Sequence, residues 1–361
     1  MKNTFGNALH ITLFGESHGA SVGCILDGLA PGLPVDPAQI ALRLSLRRPV
    51  GRFSTARHEP DPFVLESGVY NGKTTGTPLC IRIPNTDVRS ADYDAMQHIP
   101  RPSHADYTGD LKYHGCNDPN GGGHFSGRLT APLVAASGIL LPALEARGIR
   151  IGSHIRCIGS VWDRPFGDAD ADLNRLRDGA FPVLDDVRAP MEQEIADASA
   201  QGDSIGGIIE TAVCGVPGGV GEPWFDTAEG MLAHLLFSVP AVKGVEFGDG
   251  FALAHHHGSE VNDPLRAENG RIRVQSNRMG GIDGGITNGA PLIFRCAVKP
   301  TPTVFRDQPS VDLRTGENVT LHGTGRHDAC IALRAAPVID SVTAFAIADL
   351  LTVRFGTDWR M

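Results

Sequence analysis

The sequence offers few of the features that would staple a chain, anchor it or draw it to nucleic acid. Its seven cysteines are an odd number scattered from Cys24 to Cys330 with no Cys-x-x-Cys pair, so they read as reduced, mostly buried thiols, and neither a disulfide frame nor a zinc site is expected. Positive charge is in deficit: 32 Lys and Arg stand against 41 Asp and Glu, net −9, which argues against nucleic acid or an anionic membrane surface as a partner. No apolar run is read as approaching the roughly 18 to 20 residues that cross a bilayer. The start, Met1-Lys2-Asn3-Thr4, carries no signal-like apolar segment, so a cytoplasmic protein is expected. What is present is 361 residues at 41% hydrophobic, enough for a substantial core.

Hydrophobic patterning gives strands over 8–14, 21–27, 63–70, 77–83, 150–159, 205–214, 242–254 and 291–298. Helices are expected from Asp36-Pro37, where Asp caps and Pro opens the first turn, up to Pro49, and over 128–147, 189–200, 226–238 and 336–353. Strands come both as hairpins and between helices, which predicts an α+β fold with mixed or antiparallel sheets. No linker composition interrupts residues 1–361, so a single domain is expected. An internal echo sets Ser21–Asp27 and Gly32-Leu33-Pro34 against Ser204–Glu210 and Gly215-Val216-Pro217, and predicts two halves of the same strand connectivity.

Gly121-Gly122-Gly123 opening into an apolar run predicts backbone donors at a helix start, a place for phosphate. Gly68 to Thr74 resembles a P-loop but has one residue too few between its glycines, and Asn71-Gly72 is better read as a turn. His255-His256-His257, read as part of a strand, points its side chains to alternate faces and is not expected to bind metal. His98, His114, His154, His234 and His322 are read as surface or packing residues.

Short His- or Arg-bearing loops recur: Gly15-Glu16-Ser17-His18-Gly19, Arg47-Arg48-Pro49, Arg101-Pro102-Ser103-His104-Ala105-Asp106 and Gly325-Arg326-His327-Asp328. Together with Asn85–Ser90, Gly202–Gly206, Ala241–Glu246 and Lys299-Pro300-Thr301, these segments resemble the chorismate synthase family, in order and over nearly the whole chain. The resemblance implies helices sandwiched between two antiparallel sheets, a homotetramer, and a phosphate lyase. Its reaction is the 1,4-anti elimination of phosphate from 5-enolpyruvylshikimate 3-phosphate to chorismate, in the shikimate pathway to aromatic amino acids. Reduced FMN is required with no net redox change. No appended reductase is visible, so an external flavin reductase or other source of reduced flavin is the expected partner. How FMN is reduced, and whether NAD(P)H binds, stays open.

The resemblance implies that His18 protonates the departing phosphate, that His104 manages a proton on the reduced flavin, and that Asp328 works through flavin N5 in removing the substrate proton. Substrate binding falls to Ser17, Arg47, Arg52, Arg101, Arg128 and Arg334, whose planar guanidinium groups suit carboxylate and phosphate. FMN binding maps onto His124, Phe125, Ser126, Pro240, Ala241, Gly284, Lys299, Pro300, Thr301, Pro302, Thr303 and Arg326. His124-Phe125, Ser103 and Ala329 depart from the family pattern. Arg128→Ala is expected to weaken substrate binding with little loss of stability. Alternative readings are a catalytically silent flavin-binding protein and a small-anion-binding module on the same fold.

Overall fold

The computed structural model describes residues 2–48, 61–86, 98–176, 181–323 and 328–360. The first half runs β1 (Thr4–Phe5), β2 (His10–Gly15), β3 (Ser21–Asp27), α1 (Pro37–Arg47), β4 (Val64–Ser67), β5 (Val69–Tyr70), β6 (Lys73–Thr74), β7 (Leu79–Pro84), α2 (Asp106–Tyr113) and α3 (Thr130–Glu145). The second runs β8 (Arg150–Ile158), β9 (Val161–Trp162), α4 (Ala169–Arg175), α5 (Arg188–Ala200), β10 (Gly207–Cys214), α6 (Ala228–Ser238), β11 (Val242–Phe247), α7 (Gly258–Val261), β12 (Leu265–Glu268), β13 (Arg271–Val274), β14 (Ile282–Asp283), β15 (Ile286–Thr287), β16 (Leu292–Val298), β17 (Gln308–Val311), β18 (Asn318–Leu321) and α8 (Ala332–Phe355).

Two five-stranded sheets, β1-β2-β3-β7-β4 and β11-β16-β10-β8-β9, are antiparallel throughout. Helices α3 and α8 lie between them, α3 touching β3, β7 and β8 while α8 touches β8 and β10. This is the expected α+β sandwich. Strand alternation makes it possible: Leu79, Ile81 and Ile83 of β7, and Leu292, Phe294, Cys296 and Val298 of β16, bury every second side chain. Helix α1 starts where Asp36 Oδ1 accepts the Ala38 amide at 2.8 Å, and buries Ile40, Leu44 and Arg47 at helical spacing. Gly138 lets α3 approach α1, since a Cβ there would sit 2.6 Å from Ile40 Cα.

The two halves share one topology. Order β2-β3-β7-β4 in the first sheet matches β8-β10-β16-β11 in the second, and α1 with α3 match α6 with α8. Side chains repeat too: Thr74 Oγ1 accepts from Leu33 N and donates to Ala30 O, and Thr287 Oγ1 accepts from Val220 N and donates to Pro217 O. Gly28 and Gly215, at φ 88° and 86°, would each place a Cβ 2.1 Å from a carbonyl, of Ala8 and Gly148 respectively. The expected echo exists, but its register is corrected: Gly28, not Gly32, corresponds to Gly215.

Several local expectations change. Asn71-Gly72 does make a turn, but it joins the short β5 and β6, because Gly68 at φ 82° ends β4 first. The strand expected to reach 254 stops at Phe247 and gives way to a 3-10 turn, Gly250–His255. His255, His256 and His257 are therefore not strand residues, and no metal-binding cluster occurs among the described residues. The Asp-rich segment hides helix α4, capped by Asp168 accepting from Ala171 N at 3.1 Å. All seven cysteines are free thiols, as expected. Gly127–Glu145 and α8 are each long and apolar enough to cross a bilayer, contrary to the sequence reading, yet they are core helices whose apolar windows are 78% and 83% buried.

Candidate active site

His18 stands on the loop joining β2 to β3, and the triple glycine holds that loop. Ser17 N donates to Gly123 O at 3.1 Å, Ser17 Oγ lies 3.2 Å from Asn120 O and 3.0 Å from His18 Nδ1, and His124 Nδ1 is 2.9 Å from Gly15 O. Asn85 Nδ2 donates across the loop to Glu16 O and Gly19 O. Gly121, Gly122 and Gly123 all have positive φ, at 59°, 96° and 51°. A Cβ on Gly121 would lie 1.9 Å from His18 Cε1, and one on Gly122 3.2 Å from His104 Cε1. The expected helix-start cradle is corrected here. α3 begins only at Thr130, Ser126 caps a short turn by accepting Arg128 N at 3.2 Å, and the glycines instead admit two imidazoles against the backbone.

His104 is held through Asp106 at the start of α2. Asp106 accepts from His104 Nδ1 at 2.6 Å and from Arg101 N, Nε and Nη2 at 2.9, 2.8 and 2.8 Å. Burial raises the Asp106 pKa, but the hydrogen bonds from Arg101 and His104 outweigh it and hold the carboxyl well below the usual range. Ser103 occupies φ 59°, a left-handed conformation that glycine adopts without penalty.

The arginines are built into the scaffold. Arg47, 4% exposed, donates from Nε to Thr130 Oγ1 at 2.8 Å and from Nη2 to Gly127 O at 2.9 Å. Arg128, 6% exposed, donates from Nε to Asn85 Oδ1 at 3.0 Å and from Nη1 to Asp61. Asp61 Oδ2 lies 3.7 Å from Arg47 Nη1. Arg334 donates from Nη1 to Asp328 Oδ2 at 2.8 Å and from Nε to Arg47 O at 3.1 Å. Asp328 is itself nearly buried, and its carbonyl accepts from Thr301 Oγ1 at 2.9 Å.

Residues 299–303 follow β16 and close the circuit. Lys299 Nζ donates to Ser103 O at 2.9 Å, while Lys299 N bonds Ala241 O at 2.9 Å. Ala241, after Pro240 at the end of α6, is itself left-handed at φ 74°. Burial, with Lys243 nearby, lowers the Lys299 ammonium from its ordinary value, and an anion would relieve that pairing. Pro300 packs beside Gly206, and Pro302 O accepts from Gln308 Nε2. The links run from Ser103 and His104 to the glycines, His18, Asn85, Arg128, Asp61, Arg47, Arg334, Asp328, Thr301 and back through Lys299 to Ser103. They form a closed ring drawn from both halves of the chain.

Two expectations do not join this ring. Phe125 turns to Tyr113 of α2, ring centroids 5.9 Å apart, and to Gly109. Gly284 sits in the β14–β15 hairpin at the Leu292 end of β16, whereas Lys299 follows the other end, about 20 Å along seven strand residues. Within one chain it does not meet the others. Arg52 and Arg326 lie outside the described residues. Sequence reasoning missed Asp61 and Asp106, the carboxylates that neutralise the arginines. His104-Ala105-Asp106 was on view, but nothing in it says that the carboxylate folds back onto its own loop.

Known proteins resemble the chain over nearly its whole length. The family model described as chorismate synthase matches residues 9–352. The chain is 44% identical over 351 residues to the chorismate synthase of Thermococcus gammatolerans, covering 97% of each. It is 40% identical over 349 residues to that of Chitinophaga pinensis, covering 97% of this chain and 96% of the relative. A crystal structure of chorismate synthase superimposes with TM-score 0.77 at 28% identity, over 98% of this chain and 94% of that one. A family match over nearly the whole length and the shared fold lead to one conclusion: the chain belongs to the chorismate synthase family.

Proposed function

We infer that this protein eliminates phosphate from 5-enolpyruvylshikimate 3-phosphate to give chorismate. The observation that carries the site assignment is the closed ring, which links His18, His104, Asp61, Asp328, Arg47, Arg128 and Arg334, with Arg101 joined to His104 through Asp106, in a chain of net charge −9. Arg47, Arg101, Arg128 and Arg334 neutralise the carboxylates and phosphate of a highly anionic substrate and orient them. His18 donates a proton to the departing phosphate oxygen. His104, its Nδ1 fixed on Asp106, offers Nε2 for proton exchange. Asp328 takes up the proton lost from the substrate ring, with Arg334 stabilising its carboxylate.

The residues present fit reduced FMN. The glycines bring His18 and His104 against one stretch of backbone, and Lys299 beside Lys243 asks for an anion such as the flavin phosphate. His124, Ser126, Pro240, Ala241 and Lys299 to Thr303 would hold it, with Arg326. When bound, reduced FMN supplies reducing equivalents that are returned within the turnover. Gly284 serves this cofactor from a neighbouring copy, as a homotetramer allows, and the flavin arrives already reduced from an external source. The whole of residues 1–361 acts as one unit, because the ring needs both halves.

Anaerobic mixing with reduced FMN and 5-enolpyruvylshikimate 3-phosphate tests the reading. Stoichiometric phosphate and chorismate are expected. Flavin binding without phosphate release would favour a silent flavin carrier, and phosphate binding alone an anion-binding module.

A further inference from the structure

Between Arg47 and Arg128 lies a carboxylate that the reaction does not need. Asp61 is 3% exposed and sits between two arginines that are themselves buried. Its partners show what it does. Arg47 is already fixed by Thr130 Oγ1 and Gly127 O, and Arg128 by Asn85 Oδ1 and by Pro84 O at 3.3 Å. Neither guanidinium depends on Asp61 for its direction. What Asp61 supplies is charge, since two cations held this close in a buried space repel unless an anion lies between them.

It supplies that charge imperfectly. Asp61 Oδ1 accepts from Arg128 Nη1, but Oδ2 is buried, makes no hydrogen bond among the described residues, and stays 3.7 Å from Arg47 Nη1. A buried acceptor without a donor is unfavourable. The Asp61 backbone is also left-handed, at φ 49°, a conformation that few residues other than glycine, asparagine and aspartate adopt. A carboxylate that satisfies one arginine and falls short of the other is a poor permanent partner. A phosphate or carboxylate carried on a ligand is free to meet both.

We propose that Asp61 is a displaceable stand-in for the substrate's anionic group: it neutralises Arg47 and Arg128 in the empty protein and gives way when that group binds. The proposal rests on the reading of Arg47 and Arg128 as substrate-binding. Asp61 therefore costs affinity and secures the folded state between turnovers. A residue that merely positioned the arginines would have the opposite effect on affinity.

Inorganic phosphate is the probe, titrated by calorimetry into the full-length protein. Asp61→Asn keeps the shape and tolerates the backbone while removing the charge. It should bind phosphate about 10-fold more tightly, the scale of removing one nearby like charge. Its ligand-free melting temperature should fall and be restored by phosphate. Asp61→Asn/Arg128→Gln removes both members of the pair and should return affinity to the unmodified level or below. Weaker binding in both variants would overturn the stand-in while leaving the arginines in the site. Unchanged affinity in both would remove Arg128 from the anion site and take the proposal with it. Should Asp61→Asn not fold, a crystal structure of the unmodified protein saturated with phosphate decides: Asp61 parted from Arg128 is expected, and the pair intact beside a phosphate held by both arginines would overturn it.

Discussion

His104 Nδ1 lies 2.6 Å from Asp106 Oδ1, and the same carboxylate takes three donors from Arg101. Because these bonds hold Asp106 well below the usual carboxylate range against the pull of burial, it is ionised at working pH and can only accept. The hydrogen on His104 is therefore directed to Nδ1, leaving Nε2 to exchange protons. Asp106→Asn should lower kcat by about 10- to 100-fold, the scale of losing an orienting partner, with KM little changed. The anaerobic assay measures this, and an unchanged kcat would show that His104 does not need Asp106. A depressed pKa means that Asp106 stabilises the fold above the unfolded value of about 3.9 and that this contribution is lost as pH falls below it.

Glycine at 121 is a steric requirement of His18. Gly121→Ala should cut turnover by about 10²-fold, as removing a positioned acid does, because its Cβ would lie 1.9 Å from the imidazole. Gly148, also left-handed at φ 76° but with nothing within 4 Å of a Cβ, is the control. Gly148→Ala should cost about 1–2 kcal/mol from backbone strain alone and leave turnover intact. Equal loss of turnover in both would refute the steric account.

The burial of Arg128 overturns the expectation that Arg128→Ala brings little loss of stability. Arg128 is buried and donates to Asp61, so truncation leaves a buried carboxylate without its donor. A loss of about 3–5 kcal/mol is expected on breaking such a pair, read from denaturant unfolding of the ligand-free protein. Arg128→Lys should keep most of that stability but recover substrate binding only in part, since one ammonium cannot replace a fork of donors. Wild-type stability in Arg128→Ala would contradict the buried pair.

His154, read from sequence as a surface or packing residue, is fully buried between Asp163 and Glu210, at 3.0 Å from each. Burial lowers its pKa, but hydrogen bonds to the two carboxylates outweigh that and raise it; burial likewise raises Asp163, but the hydrogen bond from His154 and the backbone donors of Leu184 and Asp185 outweigh it and lower Asp163. The raised His154 stabilises fully below its unfolded value of about 6.5 and loses that contribution as pH rises through the folded value. Asp163 stabilises above about 3.9 and loses it as pH falls. Thermal stability should therefore peak between about pH 4 and 6.5 and decline on the alkaline side. His154→Leu should cost about 3–5 kcal/mol and flatten the alkaline decline. An unaltered slope there would show that His154 is not its source.

Much of the fold was legible because its signals are local. Asp36-Pro37 starts α1 through contacts within one turn, and alternation in β7 and β16 follows from a two-residue period with one face buried. Where a single glycine broke the pattern, legibility failed: Gly68 ends β4 by its backbone sign alone, and polar residues hid α4. The internal echo was visible as residue types, but its register depended on which glycine meets which carbonyl, and that is a contact across the fold.

The sequence alone determined that His18, His104, Asp328 and the arginines are of the right types for acid–base work on an anionic molecule, and in the order of one family. Only the tertiary structure decided their company. It joined Asp61 to Arg128 and Arg47, carried Asp106 back to His104, brought Lys299 of one half to Ser103 of the other, and sent Gly284 to the far end of β16. The physical reason is reach. Capping, turn and alternation preferences act over a few residues, whereas a buried charge must find its counter-charge wherever packing brings one close, regardless of separation along the chain.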